Sequence, residues 1–161
     1  MAAGYLPIVY GIAAVFAIVE LGLTAYMASW FHSYYWDGDY TPSIVSFLVF
    51  NSVWSLLVLA YVGITPIYMA SVFRKLAALA LNVITAIFWF AGAIALAVYV
   101  GTPSCYGSNR CQSSQAAVAF AFFLWVLFTF LAVLDALEAL RSRGHNTGAR
   151  IGSKPTPYSG A

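Results

Sequence analysis

The 161-residue sequence is 63% hydrophobic and only 7% charged, and its formal net charge is +2. A water-soluble domain carries roughly 25% charged residues, so this composition excludes an ordinary soluble fold. The small net charge, without a stripe of basic residues, also excludes binding to the phosphate backbone of nucleic acids.

Four apolar stretches follow one another along the chain, and each has the ~20 residues that a membrane crossing needs. The first stretch is too long for a signal peptide and no basic residues precede it, so we expect it to be retained. Backbone groups in lipid must bond within their own segment, which makes each stretch a helix. The predicted helices cover residues 8–31, 42–64, 76–100 and 116–140.

These helices form one predicted domain, residues 1–141, with the architecture of an all-α bundle of four transmembrane helices. Ser113 and Ser114 are expected to cap the start of the fourth helix, because a serine oxygen accepts hydrogen bonds from the first free N–H groups. The segment 142–161 is rich in Gly, Ser and Pro, and we expect it to be a polar, disordered tail.

Basic residues predict the orientation of the bundle. Six of the seven lie in the second loop and after the fourth helix, and the loop between the third and fourth helices holds only Arg110; the six are Arg74, Lys75, Arg141, Arg143, Arg150 and Lys154. Short loops with excess Lys and Arg stay in the cytoplasm, so both termini are predicted to be cytoplasmic. Asp135 and Glu138 lie near the same end, and Glu138 is spaced for an i, i+3 ion pair with Arg141. We interpret Arg74, Lys75, Asp135, Glu138 and Arg141 as a cytoplasmic interface rather than a catalytic group.

The two cysteines, Cys105 and Cys111, lie between the third and fourth helices on the predicted outer side. The compartment there is oxidising, so a disulfide is expected. A metal site would need more ligands, and neither His32 nor His145 lies near in the sequence. A redox-active pair is the alternative, although no neighbouring residue favours a reactive thiolate.

Glu20 interrupts the apolar pattern near the middle of the first helix. An ionised carboxylate there costs roughly a few kcal/mol, so such residues are protonated, paired or turned into the bundle. Counting about 1.5 Å per residue places Asn51 at a similar depth, where the two side chains are expected to bond. Asn82 and Thr85 lie one turn apart on the third helix and extend this polar seam. We favour a structural clasp between helices over a proton or cation site.

Small residues recur at four-residue spacing on the last two helices: Ala93, Ala97, Gly101, Ala132 and Ala136. Such faces let helix backbones approach closely, either within the bundle or between copies of the chain, and we expect the internal use. The sequence has no nucleophile elbow, zinc-binding histidine pair or phosphate-binding loop. No catalytic residue, metal or cofactor is therefore predicted.

Several short motifs resemble one known family. They are Glu20-Leu21-Gly22-Leu23-Thr24-Ala25-Tyr26, Asn51-Ser52-Val53-Trp54, Ile87-Phe88-Trp89-Phe90-Ala91-Gly92, the Cys105/Cys111 loop and Ala119-Phe120-Ala121-Phe122-Phe123-Leu124-Trp125. Their order and spacing, over nearly the whole chain through Arg141, resemble the MARVEL-domain tetraspan membrane proteins, and specifically the small fungal members. Claudins share the tetraspan plan, but their paired cysteines lie in the first outer loop, where this chain has none.

The resemblance implies a four-helix bundle with cytoplasmic ends and a disulfide in the second outer loop. It also implies a non-enzymatic protein of the plasma membrane, endomembranes or vesicles that organises microdomains, membrane apposition or traffic. Its partners would be membrane lipids, with sterols and sphingolipids as candidates, and other membrane proteins or further copies of the chain. Two alternatives stay open: a proton-coupled transporter or small channel centred on Glu20, and an accessory subunit of a larger membrane complex.

Overall fold

The computed structural model describes residues 6–34, 42–64, 71–101 and 105–151, and these segments form four α-helices. The helices are α1 (Leu6–Tyr34), α2 (Ser43–Ile64), α3 (Ser71–Val100) and α4 (Asn109–Ile151). Each contains a stretch long and apolar enough to cross a membrane. The predicted four-helix fold is therefore confirmed.

Several helices are longer than the predicted apolar stretches. α3 begins at Ser71, so its backbone includes Arg74 and Lys75, which the prediction placed in a loop. α4 begins at Asn109 and runs to Ile151, into the segment predicted as a tail. The length of an apolar stretch indicates only the part of a helix that lies in hydrocarbon. The helix can continue beyond that part, because its backbone N–H and C=O groups still bond to each other. The rest of the predicted tail, 152–161, lies outside the described residues.

The early start of α4 also changes the role of its two serines. Ser113 and Ser114 lie within the helix rather than at its cap, and their hydroxyls donate to the carbonyls of Asn109 (2.8 Å) and Arg110 (3.0 Å). Serine inside a helix often bonds back in this way to the carbonyl four residues earlier. Ser108 precedes the helix instead, and its carbonyl accepts from the N–H of Gln112 at 3.2 Å.

The four helices form an antiparallel ring in which α1 packs on α2 and α4, and α3 packs on α2 and α4. The buried positions recur every three or four residues on each helix, the spacing of knobs-into-holes packing in helical bundles. The positions with this spacing are Ala13, Ala17, Glu20, Thr24 and Met27 on α1; Val45, Leu48, Ser52, Ser55 and Leu59 on α2; Ala78, Asn82, Thr85, Trp89, Ala93 and Leu96 on α3; and Ala117, Ala121, Leu124, Phe128 and Leu131 on α4. Asn51, Val58, Ala86 and Ala132 are buried directly beside them.

Contacts between large side chains fix the relative heights of α2, α3 and α4. The Leu48 Cδ2 atom lies 3.0 Å from the position that a Cβ on Gly92 would occupy, so α2 and α3 approach closely there. Two residues before Gly92, the ring of Phe90 lies 5.2 Å from that of Trp125 on α4. Since α3 and α4 are antiparallel, Leu48 and Gly92 lie near the level of Phe123.

The height of α1 follows from Phe16. Its ring lies 5.2 Å from that of Phe120 and 6.0 Å from that of Phe123, so Phe16 and Leu48 share one level of the bundle. Glu20 lies one turn from this level towards the disulfide loop. Asn51 lies about one turn from it in the opposite direction, because α2 runs antiparallel to α1.

Candidate functional site

The described interior contains seven polar side chains with no exposed surface: Glu20, Thr24, Asn51, Ser52, Ser55, Asn82 and Thr85. Four of them, Glu20, Asn51, Asn82 and Thr85, are the predicted polar seam. Burial of a polar group in an apolar environment costs free energy unless the group is hydrogen-bonded. The partners of each side chain therefore decide what this interior can do.

Two indole groups join α2 to α3. Trp89 Nε1 donates to Ser55 Oγ at 2.8 Å, and Trp54 Nε1 donates to Thr85 Oγ1 at 3.2 Å. Both acceptor hydroxyls donate in turn to carbonyls of their own helices, Ser55 to Asn51 at 2.8 Å and Thr85 to Leu81 at 2.7 Å. Each hydroxyl therefore donates one hydrogen bond and accepts one, so its single hydrogen is already used. Part of the predicted seam is thus a structural link between neighbouring helices.

Asn82 links three helices nearer the end of the bundle where α1 begins. Its Nδ2 donates to Asp135 Oδ2 on α4 at 2.7 Å and lies 3.5 Å from the Tyr10 hydroxyl on α1. Asp135 is half-buried and bonded to the interior, whereas Glu138 and Arg141 are exposed. The structure therefore separates Asp135 from Glu138 and Arg141, because its position on α4 faces α3. The side chains of Arg74 and Lys75, also in the predicted interface, lie outside the described part of the structure.

The structure does not bring Glu20 and Asn51 together in the predicted hydrogen bond. Neither carboxyl oxygen of Glu20 and neither polar atom of the Asn51 side chain has a hydrogen-bond partner. Counted from the shared level of Phe16 and Leu48, the levels of their Cα atoms along the bundle axis differ by about seven residues of helical rise, roughly 10 Å. The prediction assumed equal depth, and the displacement of α1 towards the disulfide loop accounts for the difference.

Sequence reasoning missed Thr24, Ser52 and Ser55. Thr24 lies four residues after Glu20, and Ser55 lies four residues after Asn51, so both share the buried face of their helix. Spacing of i, i+4 was the available signal, because residues so spaced are neighbours on a helix surface. The hydrogen bond from Trp89 to Ser55 could not be predicted from such spacing, because the two residues lie on different helices.

Cys105 and Cys111 form the expected disulfide, with their Cα atoms 5.5 Å apart. Cys111 lies in the first turn of α4, so the bond attaches the loop to the start of that helix. Gly107 between them has φ +70°, a left-handed conformation that favours glycine. In the described part of the chain, no group of three or more His, Cys, Asp or Glu side chains could hold a metal ion.

The predicted packing residues divide into three groups. Ala93 is fully buried and Ala97 is half-buried. Gly101 instead ends α3: it is exposed, has φ +65°, and donates its N–H to the Ala97 carbonyl at 2.9 Å, as expected of a glycine C-cap. Ala132 and Ala136 line an apolar groove of about 500 Å³ on the outer surface between α3 and α4.

Comparison with known proteins agrees with this architecture. Residues 4–134 match the family model MARVEL, described as a membrane-associating domain. The chain is 30% identical over 152 residues to the "Non-classical export protein 2 homolog 1" of Saccharomyces cerevisiae, covering 84% of this chain and 82% of the yeast protein. No solved structure matches at a significant level. The chain is a multi-pass membrane protein, and it belongs to the MARVEL family of membrane-associating domains.

Proposed function

We propose that the protein is a non-enzymatic organiser of membranes, which gathers lipids and membrane proteins laterally into microdomains or sites of apposition and traffic. The groove between α3 and α4 carries this proposal. Its wall combines small residues such as Ala86, Ala132 and Ala136 with the exposed side chains of Ile87 and Val133. A surface of this kind, on a membrane-spanning segment, faces hydrocarbon and not water.

The chemistry of the groove favours an apolar occupant. Thr129 is a polar residue of its wall, and the Thr129 hydroxyl donates to the Trp125 carbonyl of its own helix at 2.7 Å. Association within lipid depends on close van der Waals packing, which small residues permit. A sterol, a sphingolipid chain or an apolar helix face from another protein or a second copy fits these requirements.

The yeast relative's name, a non-classical export protein, supports traffic as the setting for this organising role. We place the protein in the plasma membrane or in endomembranes and vesicles. The excess of basic residues around Arg74, Lys75 and Arg141 supports a cytoplasmic position for both termini.

A transporter or channel centred on Glu20 would need a polar path from that residue to both membrane faces. Glu20 has no exposed surface, and Ala17, which precedes it on the same face of α1, is a fully buried apolar residue. This enclosure supports the organiser over the transporter. An accessory role in a larger complex would require a stoichiometric partner after purification in mild detergent.

Filling the groove tests the organising role. The Ala136→Phe variant places a ring in the groove, whereas Ala95→Phe adds the same ring at an exposed position of α3 outside it. Labelled proteins are reconstituted into giant vesicles of a phase-separating mixture of sterol, sphingolipid and unsaturated phospholipid. Partition between the two phases is measured by fluorescence, and self-association by energy transfer.

Wild type and Ala95→Phe should favour one phase or self-associate above the random level. Ala136→Phe should lower the partition ratio or the association constant about fivefold, which corresponds to ~1 kcal/mol. Circular dichroism and size-exclusion profiles confirm that each variant is folded. An even distribution of monomeric wild type in every lipid mixture would contradict the proposed function.

A further inference from the structure

Two fully buried polar side chains on neighbouring helices have no hydrogen-bond partner: the carboxyl of Glu20 on α1 and the carboxamide of Asn51 on α2. Side chains on a helix lean towards its N-terminus. Because α1 and α2 are antiparallel, Glu20 leans towards Asn51 and Asn51 leans towards Glu20. This lean brings the two side chains towards each other along the bundle axis, across the roughly 10 Å that separates the levels of their Cα atoms.

Most of the polar atoms that lack a hydrogen-bond partner on these two side chains are acceptors. Three are acceptor oxygens, two on Glu20 and one on Asn51, and only the Asn51 amide nitrogen is a donor. Nearby hydroxyl hydrogens are already used, since those of Thr24, Ser52 and Ser55 donate to backbone carbonyls of their own helices at 2.8–2.9 Å. The pair therefore lacks donor hydrogens rather than acceptors.

Among the side chains that the structure describes, no basic one bonds to Glu20. Arg110 and Arg141 are exposed and lie at opposite ends of the transmembrane part of α4. The other titratable side chains described on the four helices are Tyr10, Tyr26, Tyr61, Tyr99, Asp135 and Glu138, and none of them bonds to Glu20. An unpaired carboxylate in the interior of a membrane bundle is costly, so a positive species must accompany it.

We propose that Glu20 and Asn51 form an interior proton-binding site, in which the acid form of Glu20 is joined to Asn51 through one bridging water. The carboxyl O–H donates to the water, and the water donates to the Asn51 carbonyl oxygen. One proton removes the charge and also supplies the missing donor. The site ties α1 to α2 and is independent of the groove that carries the proposed function.

Substitutions at Glu20 test whether its protonated carboxyl makes a stabilising hydrogen bond in the interior. Glu20→Gln keeps one acceptor and gains a permanent N–H donor, so it mimics the acid form, whereas Glu20→Leu removes both groups. Unfolding by SDS in mixed micelles should give similar equilibrium constants for wild type and Glu20→Gln. Glu20→Leu should unfold about tenfold more readily, and adding Asn51→Leu to it should cost little more, because the two residues act together.

Two further measurements test the proton directly. The infrared spectrum of wild type in lipid at neutral pH should contain the carbonyl band of a protonated carboxylic acid that Glu20→Gln lacks. The stability of wild type should fall as pH rises, because the unfolded state releases the proton, and this dependence should be weaker in Glu20→Gln. Asp135→Asn is the matched control, and the difference between wild type and Glu20→Gln should persist in that background.

Three results would overturn the proposal. If Glu20→Leu is as stable as wild type, Glu20 makes no stabilising hydrogen bond with Asn51. If the acid band is absent from wild type, the carboxyl is ionised. If Glu20→Gln is as unstable as Glu20→Leu, and wild type alone is stabilised by added Na⁺ or K⁺, the site holds an alkali cation instead of a proton.

Discussion

Replacing Ser55 by alanine should destabilise the bundle through Trp89. Trp89 is the largest fully buried side chain among the described residues, and its Nε1–H donates to Ser55 Oγ at 2.8 Å. Without the hydroxyl, the indole N–H stays buried with no acceptor at that position. An orphaned donor of this kind costs about 1–3 kcal/mol, and polar contacts between membrane helices contribute ~0.6–2 kcal/mol. We therefore expect Ser55→Ala to lower the free energy of unfolding by about 1–2 kcal/mol.

The assay is unfolding in mixed SDS micelles, followed by circular dichroism and tryptophan fluorescence. Ser114→Ala is the matched control, because the Ser114 hydroxyl bonds back to its own helix at Arg110, and it should change stability by less than about 0.5 kcal/mol. Trp89→Phe removes the donor, so the double variant with Ser55→Ala should show a coupling energy of about 1 kcal/mol. Equal effects of Ser55→Ala and Ser114→Ala would refute this account of the α2–α3 contact.

Two other substitutions test packing and the loop. Gly92→Leu should cost about 1–3 kcal/mol by overpacking against Leu48, whereas Gly22→Leu, where an added Cβ meets nothing within 4 Å, should be nearly neutral in the same unfolding assay. Equal losses would contradict a close approach of helices at Gly92. Replacing both Cys105 and Cys111 by serine should cost about 2 kcal/mol, because the disulfide closes only a short loop. Dithiothreitol should destabilise wild type but leave the double serine variant unchanged.

The fold was predictable because membrane-spanning helices need only length and apolar composition. The ends of the helices were not predictable, because a helix can continue through polar residues beyond the hydrocarbon, where the apolar pattern stops. Ser113 and Ser114 show the consequence, because both lie inside α4 although serine is a common cap. Apolar content therefore locates a crossing better than it locates the first and last turns.

From the sequence it was possible to predict which polar residues are buried, but not which of them are hydrogen-bonded to each other. Glu20, Asn51, Asn82 and Thr85 are all buried, as their positions in apolar stretches suggested. Their partners depend on how far each helix is shifted along its neighbour, and a sequence without regular repeats does not encode that shift. The roughly 10 Å offset of Glu20 from Asn51 arises in this way, from aromatic packing of Phe16 on α4.

Polar bonds explain why α3 has a defined rotation within the bundle. In lipid, leucine and alanine faces gain little by leaving hydrocarbon, so apolar packing alone discriminates weakly between one helix face and another. α3 directs Trp89 and Thr85 to hydroxyl and indole groups of α2, and it directs Asn82 to Asp135 of α4. Rotating α3 about its axis would break all three bonds together and leave their polar atoms in hydrocarbon. These bonds thus fix which side of α3 faces inwards, and with it which residues line the groove towards lipid.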